Sequence, residues 1–343
     1  MQYSTPVHGY FQLDDLKKHI FSLPDQPHSV PYRTSYYHES WGFCMAHHQL
    51  QRLGDETYEV MIDSTLENGA LSYGEFLHRG ETDQEVLLST HVCHPSMAND
   101  NCSGIALLAC LAARLKSLKT RLSYRFLFVP GTIGAIAWLS RNESLTAQIA
   151  HGLVVSCVGD QSAPAYKKSR RGDAMIDRAM IHVLRHAASS AGIAEFSPYG
   201  YDERQYCSPG FNLPVGSFHR GQPGVFPEYH TSADNLDLVR PEHLASSYHL
   251  VSSAINILEN NVRMQNLSPK CEPQLGRRGL YSAIGGDKDG AGQAMALLWV
   301  LNLSDRDHTL LDIAERSGMP FETIRKAAFL LQEAGLVKHI DPS

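Results

Sequence analysis

The spacing of apolar residues changes twice along the chain, and each change marks a different kind of element. Residues 1–34 carry one short helical pattern, over 14–22, and then Pro24, Pro27 and Pro31 break any longer element, so this stretch reads as a lead-in. Between 36 and about 80 apolar and polar residues alternate, as in Tyr58-Glu59-Val60-Met61-Ile62-Asp63, with turns such as Asn68-Gly69. That alternation predicts antiparallel strands and hairpins, a small β-rich subdomain over 35–80.

From 81 onward strand-like runs (85–90, 122–129, 152–158) alternate with helix-like ones (103–116, 134–141). Strands separated by helical crossovers predict an α/β domain built on a mostly parallel, twisted sheet flanked by helices. A long helix over 172–191, a strand over 213–218 and a helix from Pro241 to about 262 carry this body to about 270. The loop Gly285-Gly286-Asp287-Lys288-Asp289-Gly290 then leads into a tail with helical patterns at 294–301, 310–319 and 321–334 and a short strand at 336–338. This is the spacing of a C-terminal winged helix-turn-helix, in a unit read as 271–343.

Composition narrows the classes. The chain has 343 residues, 43% hydrophobic and 19% charged, with a formal net charge of -6. That balance excludes disordered and collagen-like classes and gives no overall positive field for a phosphate backbone. The winged helix would be the DNA-binding part, yet 294–343 hold five basic residues against seven acidic ones, and the expected recognition helix offers only Arg325 and Lys326. The expectation is therefore packing or homo-oligomer contact rather than nucleic acid. Seven cysteines, odd in number and without a C-x-x-C, indicate neither a disulfide framework nor a thiolate zinc finger. No apolar run approaches the ~20 residues of a membrane helix, and the N-terminus lacks a signal-peptide pattern, so a cytoplasmic location is expected.

The stretch with most chemistry is Ser89-Thr90-His91-Val92-Cys93-His94-Pro95-Ser96-Met97-Ala98-Asn99-Asp100-Asn101-Cys102-Ser103-Gly104, which joins the end of an apolar strand to a helix. Sites in open α/β sheets collect at such strand ends. Two imidazoles and a carboxylate lie there, a ligand set that suits zinc, although Asp100 could equally cap the helix. A second cluster lies at Tyr229-His230-Thr231-Ser232-Ala233-Asp234-Asn235.

Together, Asn99-Asp100-Asn101-Cys102-Ser103-Gly104 and Tyr229-His230-Thr231-Ser232-Ala233-Asp234-Asn235 resemble the two metal-binding signatures of the zinc aminopeptidase and glutaminyl cyclase superfamily. The runs Cys93-His94-Pro95, Val129-Pro130-Gly131-Thr132-Ile133-Gly134 and Asp202-Glu203-Arg204-Gln205-Tyr206-Cys207-Ser208-Pro209-Gly210, with the winged helix, more closely resemble a bacterial family of aminopeptidase-like proteins of polysaccharide biosynthesis clusters. The resemblance spans nearly the whole chain. It implies that Asp100 and His230 hold a metal together with an upstream histidine, His94 or His91, of which His94 is favoured. One zinc ion is implied, and Asp202 and Glu203 fall in the run that brings an acid to the substrate's amine.

Departures from the pattern bear on activity. Where the two-metal peptidases carry adjacent glutamates, this chain has Gly131 and Thr132, and Ser156 stands where they use an aspartate. The general base is therefore absent at 131, which puts Asp202, Glu203 and Asp160 forward as acids. Family members begin upstream of the residues matching Val7-His8-Gly9-Tyr10, so part of the β-rich subdomain and a sheet edge is expected to be missing. The reading that results is a zinc-dependent, aminopeptidase-like hydrolase, cleaving an amide or peptide bond of a small or peptide-like substrate with a free amine by metal-activated water. Its rival is a catalytically impaired binding or accessory protein. Cyclisation of an N-terminal glutamine and a DNA-binding role follow behind, the first weakened by Gly131 and the second by the acidic tail.

Overall fold

A computed structural model describes residues 1–93, 96–188, 190–221, 224, 226–280 and 288–340. Its centre is the strand Glu85–His91, every residue of which is buried, as the near-continuous apolar run Val86-Leu87-Leu88 requires of a strand covered on both faces. The chain leaves it through the helix Gly104–Leu115 to reach Ser123–Val129 on one side. It then passes through the helix Ile133–Arg141 to Ile149–Val155 on the other side. Both neighbours are parallel to the central strand. Connections from the carboxyl ends of Glu85–His91 and Ile149–Val155 therefore depart in opposite directions, which opens a crevice between them.

Seven strands complete this sheet, in the order Gly192–Ala194, Pro164–Lys167, Val215–Arg220, Ile149–Val155, Glu85–His91, Ser123–Val129, Gly74–His78. Pro164–Lys167 runs antiparallel to Val215–Arg220, and the edge strand Gly74–His78 runs antiparallel to Ser123–Val129. The helices Gly104–Leu115, Met175–Ala187 and Pro241–Asn260 cover one face with Leu108, Leu111, Met180 and Val251, while Trp138 and Leu139 of Ile133–Arg141 cover the other with Tyr206. Arg125, buried in the sheet, is held by both oxygens of Glu85 at 2.6 and 2.7 Å and also bonds Glu75 of the edge strand. A buried guanidinium is tolerated because its charge is met by two carboxylates.

The β-rich stretch differs from the sequence reading. Thr57–Ile62 pairs antiparallel with Val7–Gln12 of the lead-in, and Gly74–His78 joins the main sheet, so the segment forms no sheet of its own. Residues 30–32 also bond the chain near 231, as described below. The lead-in is thus part of the body's architecture.

The C-terminal unit begins at Arg263, inside the stretch that the sequence assigns to the α/β body. Arg263–Asn266 is the middle strand of a three-stranded sheet with Asp305–Thr309 and Val337–Ile340, packed with the helices Lys288–Leu303, Leu310–Ser317 and Phe321–Glu333. Its apolar residues Leu311, Ile313, Ile324 and Leu331 belong to the same core as the body's Ile176, Met180 and Leu258. Arg178 of the body bonds Asp312 at 2.6 Å and Glu315 at 2.5 Å, so two acidic residues of the tail face the body. Among the described residues no helix is long and apolar enough to cross a membrane, and all seven cysteines are free.

Candidate functional site

The site lies at the carboxyl end of the central strand. His91 is the last residue of that strand, and its Nε2 is 2.6 Å from Asp100 Oδ1. The other oxygen of the same carboxylate, Oδ2, is 3.2 Å from His230 Nε2. One carboxylate, 2% exposed, is therefore flanked by two imidazoles brought together from opposite ends of the body. The His230 side chain remains 31% exposed, which leaves the cluster open to solvent on that side.

Asparagines fix the loop that carries Asp100. The Asn99 amide donates to Asp160 at 2.7 Å and accepts the Gly159 N–H at 2.8 Å, bridging to the end of Ile149–Val155. The Asn101 amide donates to Thr90 Oγ1 at 2.6 Å and to the His91 carbonyl at 2.9 Å, and accepts the Cys157 N–H at 3.0 Å. Ser103 Oγ donates to the Asn99 carbonyl at 2.6 Å and accepts the Val158 N–H at 3.0 Å. Asp234, beyond His230 in its own loop, accepts the N–H groups of Ala98, Asn99 and Asp100 at 3.1, 2.5 and 2.9 Å. Every polar group here is buried, so each requires a partner, and those partners hold the Asp100 carboxylate in place.

The His230 loop is held from its other side by the lead-in. Tyr32 N–H donates to the His230 carbonyl at 2.8 Å, Ser232 N–H to the Val30 carbonyl at 2.9 Å, and Pro31 bridges Thr231. The Tyr32 ring meets His230 edge-on at 5.3 Å between centroids, and Tyr229 stacks on the same imidazole at 3.8 Å. His230 has φ of 55°, and Thr132 and Cys157 have φ of 57° and 50°. Non-glycine residues in this left-handed region are held there by their surroundings, and such positions gather at functional sites.

The acids proposed from sequence are placed differently from one another. Glu203 is buried and accepts Lys167 Nζ at 2.8 Å and the Tyr201 N–H, so its charge is already met. Asp160 accepts Asn99 and the Ser162 N–H, a scaffolding role. Asp202 is buried beside the Gly131-Thr132 turn, with Oδ1 accepting the Thr132 N–H at 2.6 Å. Burial pushes its carboxyl up to about 7, against the lowering effect of the Thr132 N–H, with Glu203 adding to the rise.

Gly131 has a physical explanation the sequence did not offer. A Cβ built on it would lie 1.9 Å from the Tyr201 hydroxyl, so the phenol fills the space into which a side chain at 131 would project. The Tyr201 ring packs on His91 at 4.3 Å between centroids. Cys93 Sγ accepts the Gly131 N–H at 3.1 Å and lies 3.6 Å from the Tyr201 hydroxyl. Tyr201, Asp234 and the two asparagines are the residues sequence reasoning did not bring to the site. Asp234, Asn99 and Asn101 lay within the quoted motifs, whereas Tyr201 had no signal beyond its position before Asp202.

His94 lies outside the described residues. Among the described residues upstream of Asp100, His91, at the end of the central strand, brings its imidazole to the carboxylate. The donor set, two imidazole nitrogens and both oxygens of a carboxylate, suits zinc in kind. Among the described residues no set of three or more His, Cys, Asp or Glu side chains is arranged around a common metal position. Asp100 instead hydrogen-bonds His91 directly at 2.6 Å, and its other oxygen lies 3.2 Å from His230, whereas two donors sharing a tetrahedral zinc stand about 3.3 Å apart.

The profile of a domain of unknown function, DUF4910, matches residues 17–261. The chain belongs to this family. A winged helix-turn-helix profile matches 262–339, in keeping with a C-terminal sheet that starts at Arg263. A Clostridium acetobutylicum protein named as a candidate polysaccharide biosynthesis protein with an aminopeptidase-like domain is 51% identical over 338 residues, covering 98% of this chain and 78% of that one. The crystal structure of a candidate peptidase from the same organism superposes with a TM-score of 0.93 at 48% identity, covering 99% of this chain and 77% of that one. A zinc aminopeptidase of Bacillus subtilis gives a TM-score of 0.52 at 16% identity over 70% of this chain and 63% of its own, a likeness of fold. The family is the one toward which the sequence motifs pointed, an aminopeptidase-like α/β body followed by a winged helix.

Proposed function

We propose that this chain is a zinc-dependent hydrolase of an amide or peptide-like bond, with His91, Asp100 and His230 holding the metal. The observation that supports this reading most is Asp100, whose two oxygens each face an imidazole at the carboxyl end of the central strand. When bound, zinc would supply a Lewis acid that polarises a carbonyl and makes water acidic near neutral pH. The chain's own residues do the rest. Asp234 and the asparagines hold the carboxylate, and Tyr32 and Tyr229 set the plane of the His230 ring. Asp202 is the acid nearest in kind to a proton donor at neutral pH, because burial brings its pKa to about 7. The name of the 51% identical relative supports a substrate from polysaccharide assembly.

A second reading is favoured by one observation, the Tyr201 hydroxyl against Gly131, which fills the space that a carboxylate side chain at 131 would need. It is an accessory protein that keeps the metal and binds, without cleaving, the same substrate class. Metal content of the purified chain tests the reading that both share. About one zinc per chain is expected, lost in His91→Ala and His230→Ala and largely kept in His94→Ala. Absence of zinc uptake in the wild type would remove both readings, and loss in His94→Ala but not in His91→Ala would return the ligand role to His94. A screen of aminoacyl and N-acyl sugar amides on the zinc-loaded protein then separates hydrolase from accessory protein.

A further inference from the structure

Among the described residues, Tyr201 is a group at the cluster whose hydrogen-bonding capacity is poorly spent. Its ring rests on His91, and Gly131 makes room for its hydroxyl, since any Cβ there would displace it. Among the described residues the hydroxyl's hydrogen-bond partner is the Cys93 thiol at 3.6 Å, and sulfur is a weak acceptor. A half-buried phenol normally finds an oxygen or nitrogen. The carboxylates nearby do not take it: Asp100 faces the two imidazoles, and Asp202 accepts the Thr132 N–H with Oδ1 while its Oδ2 makes no hydrogen bond among the described residues. The phenol is therefore poised to donate to an acceptor that arrives with a ligand.

We propose that Tyr201 is the hydrogen-bond donor of this site, giving its hydroxyl to a ligand oxygen held against His91, Asp100 and His230. The ligand class is a carbonyl compound whose oxygen gains negative charge on becoming tetrahedral, because a fixed donor in a partly dry site stabilises charge most where it develops. Gly131 is then the residue that admits this donor, and the chain has a phenol where a side chain at 131 would otherwise reach. The inference rests on the metal-dependent reading above.

The test is a calorimetric titration of the zinc-loaded full chain with an α-aminoalkyl phosphonate, a stable tetrahedral oxyanion, with zinc content and melting temperature measured on the same samples. Tyr201→Phe keeps the ring on His91 and should weaken phosphonate binding about tenfold or more, with zinc content and melting temperature unchanged. Gly131→Ala, whose methyl group pushes the hydroxyl aside, should weaken it comparably. The double variant should weaken it no further, because both changes remove the same bond. Wild-type affinity in Tyr201→Phe, additive losses in the double variant, or no phosphonate binding by zinc-loaded wild type would each overturn the proposal. Failure of the wild type to take up zinc would instead overturn the metal reading on which it rests.

Discussion

Asp234 accepts the backbone N–H of Asp100 at 2.9 Å, so the loop that presents His230 also holds the loop that presents the carboxylate between the two imidazoles. The same carboxylate takes the N–H groups of Ala98 and Asn99. Three donors converge on one ionised acceptor, an arrangement stronger than bonds between neutral groups.

Asp234→Asn keeps the shape but removes the charge and turns one acceptor into a donor facing an N–H. The variant should lose about 2–3 kcal/mol in denaturant unfolding and bind zinc more weakly although His91 and His230 are intact. Wild-type zinc affinity in this variant would mean that the Asp100 loop keeps its place without the clamp.

Asp202 gives the fold a pH dependence of definite sign. Its carboxyl is raised from 3.8 to about 7, with burial as the main cause, and among the described residues Oδ2 has no hydrogen-bond partner. The folded state thus binds this proton more tightly than the unfolded one. Between about pH 4 and pH 7 the group's contribution to stability falls as pH rises, by up to about 4 kcal/mol. Asp202→Asn, which keeps an acceptor for Thr132, should flatten that slope when unfolding free energies are compared across the window. Parallel slopes would mean that Asp202 is ionised throughout.

His182 works in the opposite sense. Its Nε2 accepts the Phe321 N–H at 2.9 Å and so helps seat the winged helix on the body. Burial, then His186 and Arg185, lower its pKa from 6.5 to about 4. The unfolded chain binds the proton more readily, so stability is lost as pH falls from about 6.5 to 4, and the acceptor is lost with it. Hydrogen exchange at the Phe321 amide should quicken over that range, and His182→Gln should reduce the pH dependence. Exchange independent of pH, after correction for intrinsic rates, would sink the assignment.

Periodicity made much of the body legible. The helices read at 103–116 and 134–141 are found at Gly104–Leu115 and Ile133–Arg141, and the strand read at 85–90 is Glu85–His91. Each has an apolar face or run that local spacing reveals. Arg263–Asn266 was not legible, because four polar-rich residues gain strand structure only by pairing with Asp305–Thr309 and Val337–Ile340. The lead-in was undervalued for the same reason, since its partners lie at 57–62 and near 231.

For the site, the sequence alone determined the residue types: a carboxylate and an imidazole in motifs that local order makes recognisable, and a glycine at 131. That His91 meets Asp100 depended on where the central strand ends and how the loop turns, which spacing along the chain does not give. The phenol of Tyr201 against Gly131 and the grip of Asp234 on Asp100 join residues 70 and 134 positions apart. Spacing along the chain carries no signal across such distances, because these contacts exist only once the buried sheet has brought its strand ends together.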